Sequence, residues 1–110
     1  MEDLVAVKVI EPSGQAHFFV TWGRVFDAVD PQPLLAAIQP HLPAFGIKGA
    51  CETSLCHSLR EAAQQPYFYE ALFSFSQKKI PFGSDYETWR QERCAAIEQG
   101  KDLYYLGAAV

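Results

Sequence analysis

The sequence predicts an α+β fold, in which helices pack on an antiparallel or mixed sheet. Two segments rich in β-branched residues flank a Pro-Ser-Gly turn, three stretches have the spacing and end signals of helices, and a short aromatic segment follows the last of them. The chain has 110 residues, close to the commonest length of one domain, so we expect residues 1–110 to form a single globular domain.

The chain begins with a predicted β-hairpin. Residues 4–10 and 16–22 each alternate in the two-residue period of a strand, and residues 11–15 between them contain the proline and glycine of a turn. Large apolar groups occur on both faces of this hairpin. We therefore expect the sheet to be covered on both sides, or on one side by a partner.

Three segments are predicted to be helical. The helix near 31–39 follows an Asp-Pro pair, and prolines end it. The segment 52–64 gathers leucine, cysteine and alanine on one helical face. The helix 84–99 opens with Ser84 as its N-cap in a Ser-x-x-Glu capping box and stops at Gly100.

Residues 67–77 favour a strand, and a short C-terminal strand is predicted over 103–106. A helix starting at Pro66 is the alternative for 67–77, because the Glu-Ala-Leu sequence inside it forms helices well. In a strand, one set of side chains would share a face: Tyr67, Tyr69, Ala71, Phe73 and Phe75. The predicted order is then ββ-α-α-β-α-β.

The composition argues against several classes of protein. The net charge is −4 and lysine and arginine do not cluster, so we expect no nucleic-acid partner. No apolar run approaches the ~20 residues of a membrane span, and the chain opens with an acidic Met-Glu-Asp, unlike a signal peptide. We therefore expect no membrane attachment and, with three cysteines as free thiols, a cytoplasmic protein.

The sequence contains no pattern typical of a metal, a cofactor or a catalytic group. Cys51, Cys56 and His57 do not have the spacing of a zinc site, and on a helix Cys56 and His57 would diverge. His17 lies in a strand beside aromatic residues, where a structural histidine is expected. We predict no metal site, no cofactor and no catalytic residue.

The residues that most invite a functional interpretation lie in the helix 84–99. Arg90 and Arg93 project from its apolar stripe, beside Tyr86 and Trp89. A half-buried arginine must be paired or solvated. Its head can reach water, pair with an anionic ligand or second subunit, or pair with a carboxylate of this chain: Glu70, Asp27, Asp30 or Asp102.

We expect a small soluble binding or interaction module that forms a homodimer, because aromatic residues and arginine are enriched at protein interfaces. The alternative is a binder of a small anionic or aromatic ligand. A small acid–base enzyme, using Glu70, a tyrosine or His17, has less support. The candidate contact residues are Tyr67, Tyr69, Glu70, Tyr86, Trp89, Arg90 and Arg93, and Phe73 joins the aromatic residues of the alternative pocket.

Overall fold

The computed structural model of the protein describes residues 4–26, 30–78, 80, 83 and 85–109. Its helices are α1 to α4, with a 3₁₀-helix after α1, and its strands are β1 to β4. In chain order they are β1 (Leu4–Ile10), β2 (Ala16–Trp22), α1 (Gln32–Ile38), the 3₁₀-helix (Gln39–Phe45), β3 (Glu52–Leu55), α2 (Leu59–Ala63), α3 (Phe68–Ser76), α4 (Tyr86–Glu98) and β4 (Tyr104–Ala108).

The four strands form one antiparallel sheet in the order β3-β1-β2-β4. The predicted hairpin is present with the predicted bounds, and Val7 lies opposite Phe19 in its register. Its turn is closed by a hydrogen bond from Glu11 N to Gln15 O at 2.9 Å. The α+β class, the antiparallel sheet and the short C-terminal strand are therefore confirmed.

Both faces of the sheet are covered, as the apolar groups on both faces of the hairpin predict. On one face, fully buried Phe19 meets Phe45 of the 3₁₀-helix edge to face, with ring centroids 5.0 Å apart. On the other face, Trp22 meets Phe75 of α3 at 4.6 Å and Trp89 of α4 at 5.2 Å. These contacts join the helices to the sheet in one hydrophobic core.

The prediction of a helix over 52–64 is wrong in its first part. Residues Glu52–Leu55 form β3, and Thr53 lies opposite Val9 of β1. Only Leu59–Ala63 is helical, and the Ser58 hydroxyl accepts a hydrogen bond from Arg60 N at the start of this turn. Pairing with β1 satisfies the backbone groups of 52–55, which overrides a helical periodicity that is only local.

The prediction of a strand over 67–77 is also wrong, and the helical alternative is correct. Residues Phe68–Ser76 form α3, in which Phe68, Ala71 and Phe75 are buried at helical spacing. Because aromatic residues occupy both odd and even positions in this segment, its sequence fits the alternation of a strand and also the periodicity of a helix. Packing against the sheet decides between them.

The ends of the other helices largely follow the sequence. Asp30 accepts a hydrogen bond from Gln32 N at 3.0 Å as α1 begins. Helix α4 is capped by Asp85, whose carboxylate accepts a hydrogen bond from Glu87 N at 3.1 Å. The predicted cap, Ser84, lies outside the described residues. Gly100 follows α4 with φ +81°, the left-handed conformation expected of a glycine that stops a helix.

Candidate functional site

Arg90 is bound to groups of its own chain. Its Nη2 and Nε donate to the Glu87 carboxylate at 2.9 and 3.3 Å, and its Nη1 donates to Val25 O at 2.7 Å. The hydrogen bond from Arg90 holds the pKa of Glu87 below its usual value. The Arg90 side chain thus links one turn of α4 to the segment that follows β2. Most of its N–H donors already take part in hydrogen bonds within the chain.

Arg93 belongs to an ion-pair cluster centred on Asp102. Its Nη1 donates to Asp102 Oδ2 at 2.7 Å, and the Lys78 ammonium donates to the other carboxylate oxygen. Lys78 also donates to the Tyr104 hydroxyl at 2.9 Å, and Thr21 Oγ1 donates to Asp102 O at 2.7 Å. The Asp102 side chain is only 1 % exposed, so this carboxylate is the buried centre of the cluster.

The conformation of Asp102 fits this position. Its φ of +59° is left-handed, a region that Asp and Asn enter more readily than most residues. Burial opposes the charged form of Lys78, but its hydrogen bonds to Asp102 and Tyr104 outweigh that effect and raise its pKa. Among the four acidic partners that the sequence suggests for the arginines, Asp102 pairs with Arg93, and Asp27 lies outside the described residues.

A shallow depression of about 350 Å³ borders the Asp102 cluster. It is lined by three cations and two carboxylates, together with the C-terminal turns of α4: Lys78, Arg93, Lys101, Glu92, Asp102, Ala95, Ala96 and Gln99. The C-terminal end of a helix carries a partial negative charge. Together with the two carboxylates, it leaves little excess positive potential for a small anion.

Trp89 is part of the core. It is buried, and its indole Nε1 donates to Lys78 O at 3.3 Å. Tyr86 is partly exposed and stacks on Trp89 with ring centroids 5.7 Å apart. Trp89 is therefore not available to a ligand, and Tyr86 presents one edge to solvent.

The three candidate residues of α3 and its start are exposed. Tyr67 precedes the helix, and Tyr69 and Glu70 occupy its first turn. Arg90 and Arg93 bind the groups described above, so within the described residues the expected pairing of Glu70 with either arginine is not found. The seven candidate residues therefore divide between the start of α3, at the surface, and α4, where Trp89 is buried, the two arginines are partly buried and Tyr86 is partly exposed.

Two large side chains on α3 form an exposed apolar surface. Tyr69 is 74 % exposed and Phe73 is 68 % exposed, and they lie one helical turn apart. We call this pair the aromatic face of α3. The predicted strand also places Tyr69 and Phe73 on one face, but it adds Phe75 to them, which the helix buries on its opposite side.

A second polar cluster lies on one side of the sheet and links side chains of β2, of β4 and of the turn that follows β1. His17 is buried; its Nε2 lies 2.5 Å from Glu11 Oε1 and its Nδ1 lies 3.0 Å from the Tyr105 hydroxyl. A neutral imidazole can donate to the carboxylate and accept the phenolic proton, so all three groups are satisfied. Burial, aided by Glu11, raises the pKa of Tyr105, which keeps its hydroxyl protonated as a donor.

This cluster agrees with the expectation of a structural histidine, but its partners could not be predicted. Alternation places His17 and Phe19 on one face of β2, whereas Tyr105 reaches them only through the pairing of β2 with β4. That pairing contains a register shift between Phe18 and Phe19, for which the sequence carries no signal.

Replacing Tyr105 with phenylalanine should lower the free energy of unfolding by about 1–2 kcal/mol, because the change leaves a ring nitrogen of buried His17 without its partner. Urea unfolding at neutral pH measures this. Tyr69→Phe is the matched control: it removes the same hydroxyl from an exposed ring and should change stability by less than about 0.5 kcal/mol. Equal effects in the two variants would contradict the role given to the cluster.

The three cysteines are free and partly buried, as the sequence predicts. Burial and the neighbouring Glu61 carboxylate raise the pKa of Cys56 to about 11, which keeps its thiol protonated at neutral pH. In the part of the chain that the structure describes, no three His, Cys, Asp or Glu side chains are placed to hold a metal ion.

Comparison with known proteins yields no relative from which a function could be transferred. No family model matches the chain, and no curated protein or solved structure is significantly similar to it. None of the helices in the described ranges has the length and apolar character needed to cross a bilayer. The interpretation of function therefore depends on the surface and the clusters described above.

Proposed function

We propose that this protein is a small binding module that works as a homodimer and makes its contact through the aromatic face of α3. The observation that carries this proposal is the exposure of Tyr69 and Phe73, at 74 % and 68 %, on a helix whose opposite side is buried. Single exposed apolar residues are ordinary on protein surfaces. Two large aromatic side chains one turn apart form a patch, and such patches are typical of protein contacts.

The polar clusters favour this function over the alternatives. Arg90 and Arg93, the groups suited to an anionic ligand, already bind Glu87, Val25 O and Asp102. Glu11, His17 and Tyr105 satisfy one another, and the histidine between them is buried. Acid–base catalysis by His17 and anion binding by Arg90 therefore have less support than a protein contact, because these groups are already engaged. Arg93 uses only its Nη1 on Asp102, and within the described residues its buried Nε has no hydrogen-bond partner.

We also propose that the dimer is cytoplasmic. Its three cysteines are free thiols, and such thiols persist in a reducing compartment.

Sedimentation and light scattering over a wide range of protein concentration test the homodimer. The expected result is a mass that rises from 12.3 kDa towards twice that value as the concentration increases. Phe73→Glu should raise the dissociation constant at least ~10-fold, because it places a charge in the centre of an apolar contact.

Ala36→Glu is the matched control for this experiment. It adds the same charge at an exposed position of α1. Helix α1 leads directly into the 3₁₀-helix, which packs on the face of the sheet opposite to α3. This variant should dimerise like the wild type. A wild-type protein that stays at 12.3 kDa throughout would overturn the dimer. Equal dimerisation of the two glutamate variants would overturn the assignment to α3.

A further inference from the structure

We propose that the sheet binds an extended peptide along its open edge, strand β3, and that one aliphatic side chain of the peptide enters a neighbouring cavity. This site lies away from the proposed contact of α3. Phe75 of α3 packs on Tyr104 of β4 with ring centroids 4.8 Å apart, and β4 is the opposite edge of the sheet. The inference therefore goes beyond the homodimer and does not depend on it.

The edge formed by β4 is covered by its own chain. The Leu106 carbonyl accepts a hydrogen bond from Tyr67 N at 3.2 Å. Pro66, which has no N–H, lies against Gly107, where an added Cβ would come within 2.9 Å of the proline Cδ. These contacts leave no room for a further strand at this part of β4, and covering an edge in this way protects a sheet from unwanted pairing.

The edge formed by β3 has backbone groups that face away from the sheet. Cys56 N donates to Ala6 O at 2.8 Å, and the residues that bond to the neighbouring strand alternate along an antiparallel ladder. Ser54 therefore bonds to β1, whereas the N–H and C=O groups of Thr53 and Leu55 point outwards. Within the described residues, no hydrogen bond to these outward groups is found. Unpaired donors and acceptors in strand conformation are what an extended peptide binds.

The next outward carbonyl along this edge shows what such a peptide supplies. Cys51 O, two residues before Thr53, accepts a hydrogen bond from the side-chain Nε2 of Gln39 at 3.4 Å. This contact is exposed and long for an N–H···O bond. An N–H group of an added strand can therefore replace the Gln39 amide at little cost.

A cavity of about 230 Å³ borders this end of the edge. Its lining includes Gln39, Cys51 and four apolar residues: Leu42, Pro43, Ile47 and Ala50. Small-molecule sites usually have ~300–1,000 Å³. The cavity is smaller than this range, so it suits one side chain of a peptide better than a free ligand.

The cavity lies on the face of the sheet towards which the peptide would direct this side chain. Thr53 lies opposite Val9 of β1, and Val7 and Val9 share the face of Phe19, which the 3₁₀-helix covers. Leu42 and Pro43 of the cavity belong to that helix. Residues that lie opposite each other in a strand pair have side chains on the same face. A peptide residue bonded to this edge therefore points towards the cavity side.

These features define the partner as a segment in strand conformation with an aliphatic side chain at a position whose N–H faces β3. The net charge of −4 favours a segment that also carries basic residues. Strand β3 has only four residues. We therefore expect reversible binding, with a dissociation constant of about 0.1–1 mM.

Four synthetic peptides test the site. The first, acetylated and amidated, is Lys-Thr-Leu-Thr-Leu-Thr-Lys, and the others carry valine, phenylalanine or alanine in place of both leucines. Amide hydrogen exchange measured by NMR reports on single N–H groups of the protein. Saturating leucine peptide should slow the exchange of the Thr53 and Leu55 N–H groups at least ~5-fold and leave that of Ser54 nearly unchanged. It should bind at least ~10-fold more tightly than the alanine peptide, because it buries more apolar surface in the cavity.

N-methylation of the peptide gives a matched control. The cavity orients the leucines so that their N–H groups face β3, whereas the N–H of the threonine between them faces solvent. Methylation of both leucine nitrogens should raise the dissociation constant at least ~10-fold, and methylation of that threonine nitrogen should change it less than ~3-fold.

A pair of protein variants tests the same hydrogen bonds from the other side. Thr53→Pro removes an outward N–H and keeps the ladder to β1, so it should weaken binding of the leucine peptide at least ~10-fold. Thr53→Ala keeps this N–H and should bind like the wild type. Circular dichroism checks that both variants are folded, and the methylated peptides test the same contact on the wild type.

Several results would overturn the proposal. These are equal affinity of the two methylated peptides, binding without protection of the Thr53 and Leu55 N–H groups, and failure of all four peptides to bind at ~5 mM. Protection that rises with protein concentration in the absence of peptide would assign the edge to a second copy instead. Phe73→Glu should bind the leucine peptide like the wild type, which separates this site from the homodimer.

Discussion

Replacing Phe75 with alanine is expected to lower the free energy of unfolding by about 3–5 kcal/mol, which is a large part of the stability of a small domain. Phe75 is 1 % exposed and packs edge to face on Trp22 at 4.6 Å and on Tyr104 at 4.8 Å. Its removal leaves a cavity between α3 and the sheet that these rigid aromatic neighbours cannot fill. Urea unfolding monitored by tryptophan fluorescence measures the change.

Phe73→Ala is the control, because it makes the same substitution two residues earlier. Phe73 is 68 % exposed, so its replacement should alter stability by less than about 0.5 kcal/mol at concentrations where the protein is monomeric. In a strand the two side chains would share a face and respond alike. Similar losses in the two variants would therefore contradict the helical assignment of 68–76.

Replacing Asp102 with asparagine is expected to lower the free energy of unfolding by about 3 kcal/mol, since breaking a buried ion pair leaves its partner charges uncompensated. The carboxylate is buried, whereas Arg93 and Lys78 keep 22 % and 35 % of their side chains exposed. This partial access to water places the expected cost at the lower end for such pairs. Asparagine also tolerates the left-handed backbone at 102, so the change tests the charge.

Glu92→Gln provides the comparison for Asp102→Asn. It neutralises an exposed carboxylate on α4 that borders the same depression. Because Glu92 is in water, we expect a change of less than about 0.5 kcal/mol. Equal unfolding midpoints for the wild type and Asp102→Asn would show that the cluster does not contribute to stability.

The sequence predicted those parts of the fold whose signals are local. Val5, Val7 and Val9 alternate up to a turn that contains glycine, and the hairpin formed with the expected bounds. Helix α4 formed within the predicted range and is followed by Gly100 as expected, although its N-cap is Asp85 and the predicted cap was Ser84. In both cases the residues that define an element lie within that element.

The candidate site was predicted only in part, because partners distant in sequence decide how a side chain is used. Arg93 was expected to reach water, an anionic ligand or second subunit, or one of four carboxylates of this chain. The Arg93–Asp102 pair that formed depends on the turn after Gly100. Tyr105 binds His17 across 88 positions of sequence, through a strand pairing with a register shift. Phe73 shared a face with Phe75 in the predicted strand, and only the helix α3 exposes the first and buries the second.

The sequence by itself determined the α+β class, the hairpin, helix α4 and the presence of apolar groups on both faces of the sheet. Only the tertiary structure decided that 52–55 pairs with β1, that 68–76 is helical, and that the arginines of α4 are bound internally. Periodicity in the sequence reflects interactions between residues that are close along the chain. The strand pairing, the helix and the arginine contacts depend instead on which backbone edge, apolar surface or buried carboxylate the folded chain places next to each segment.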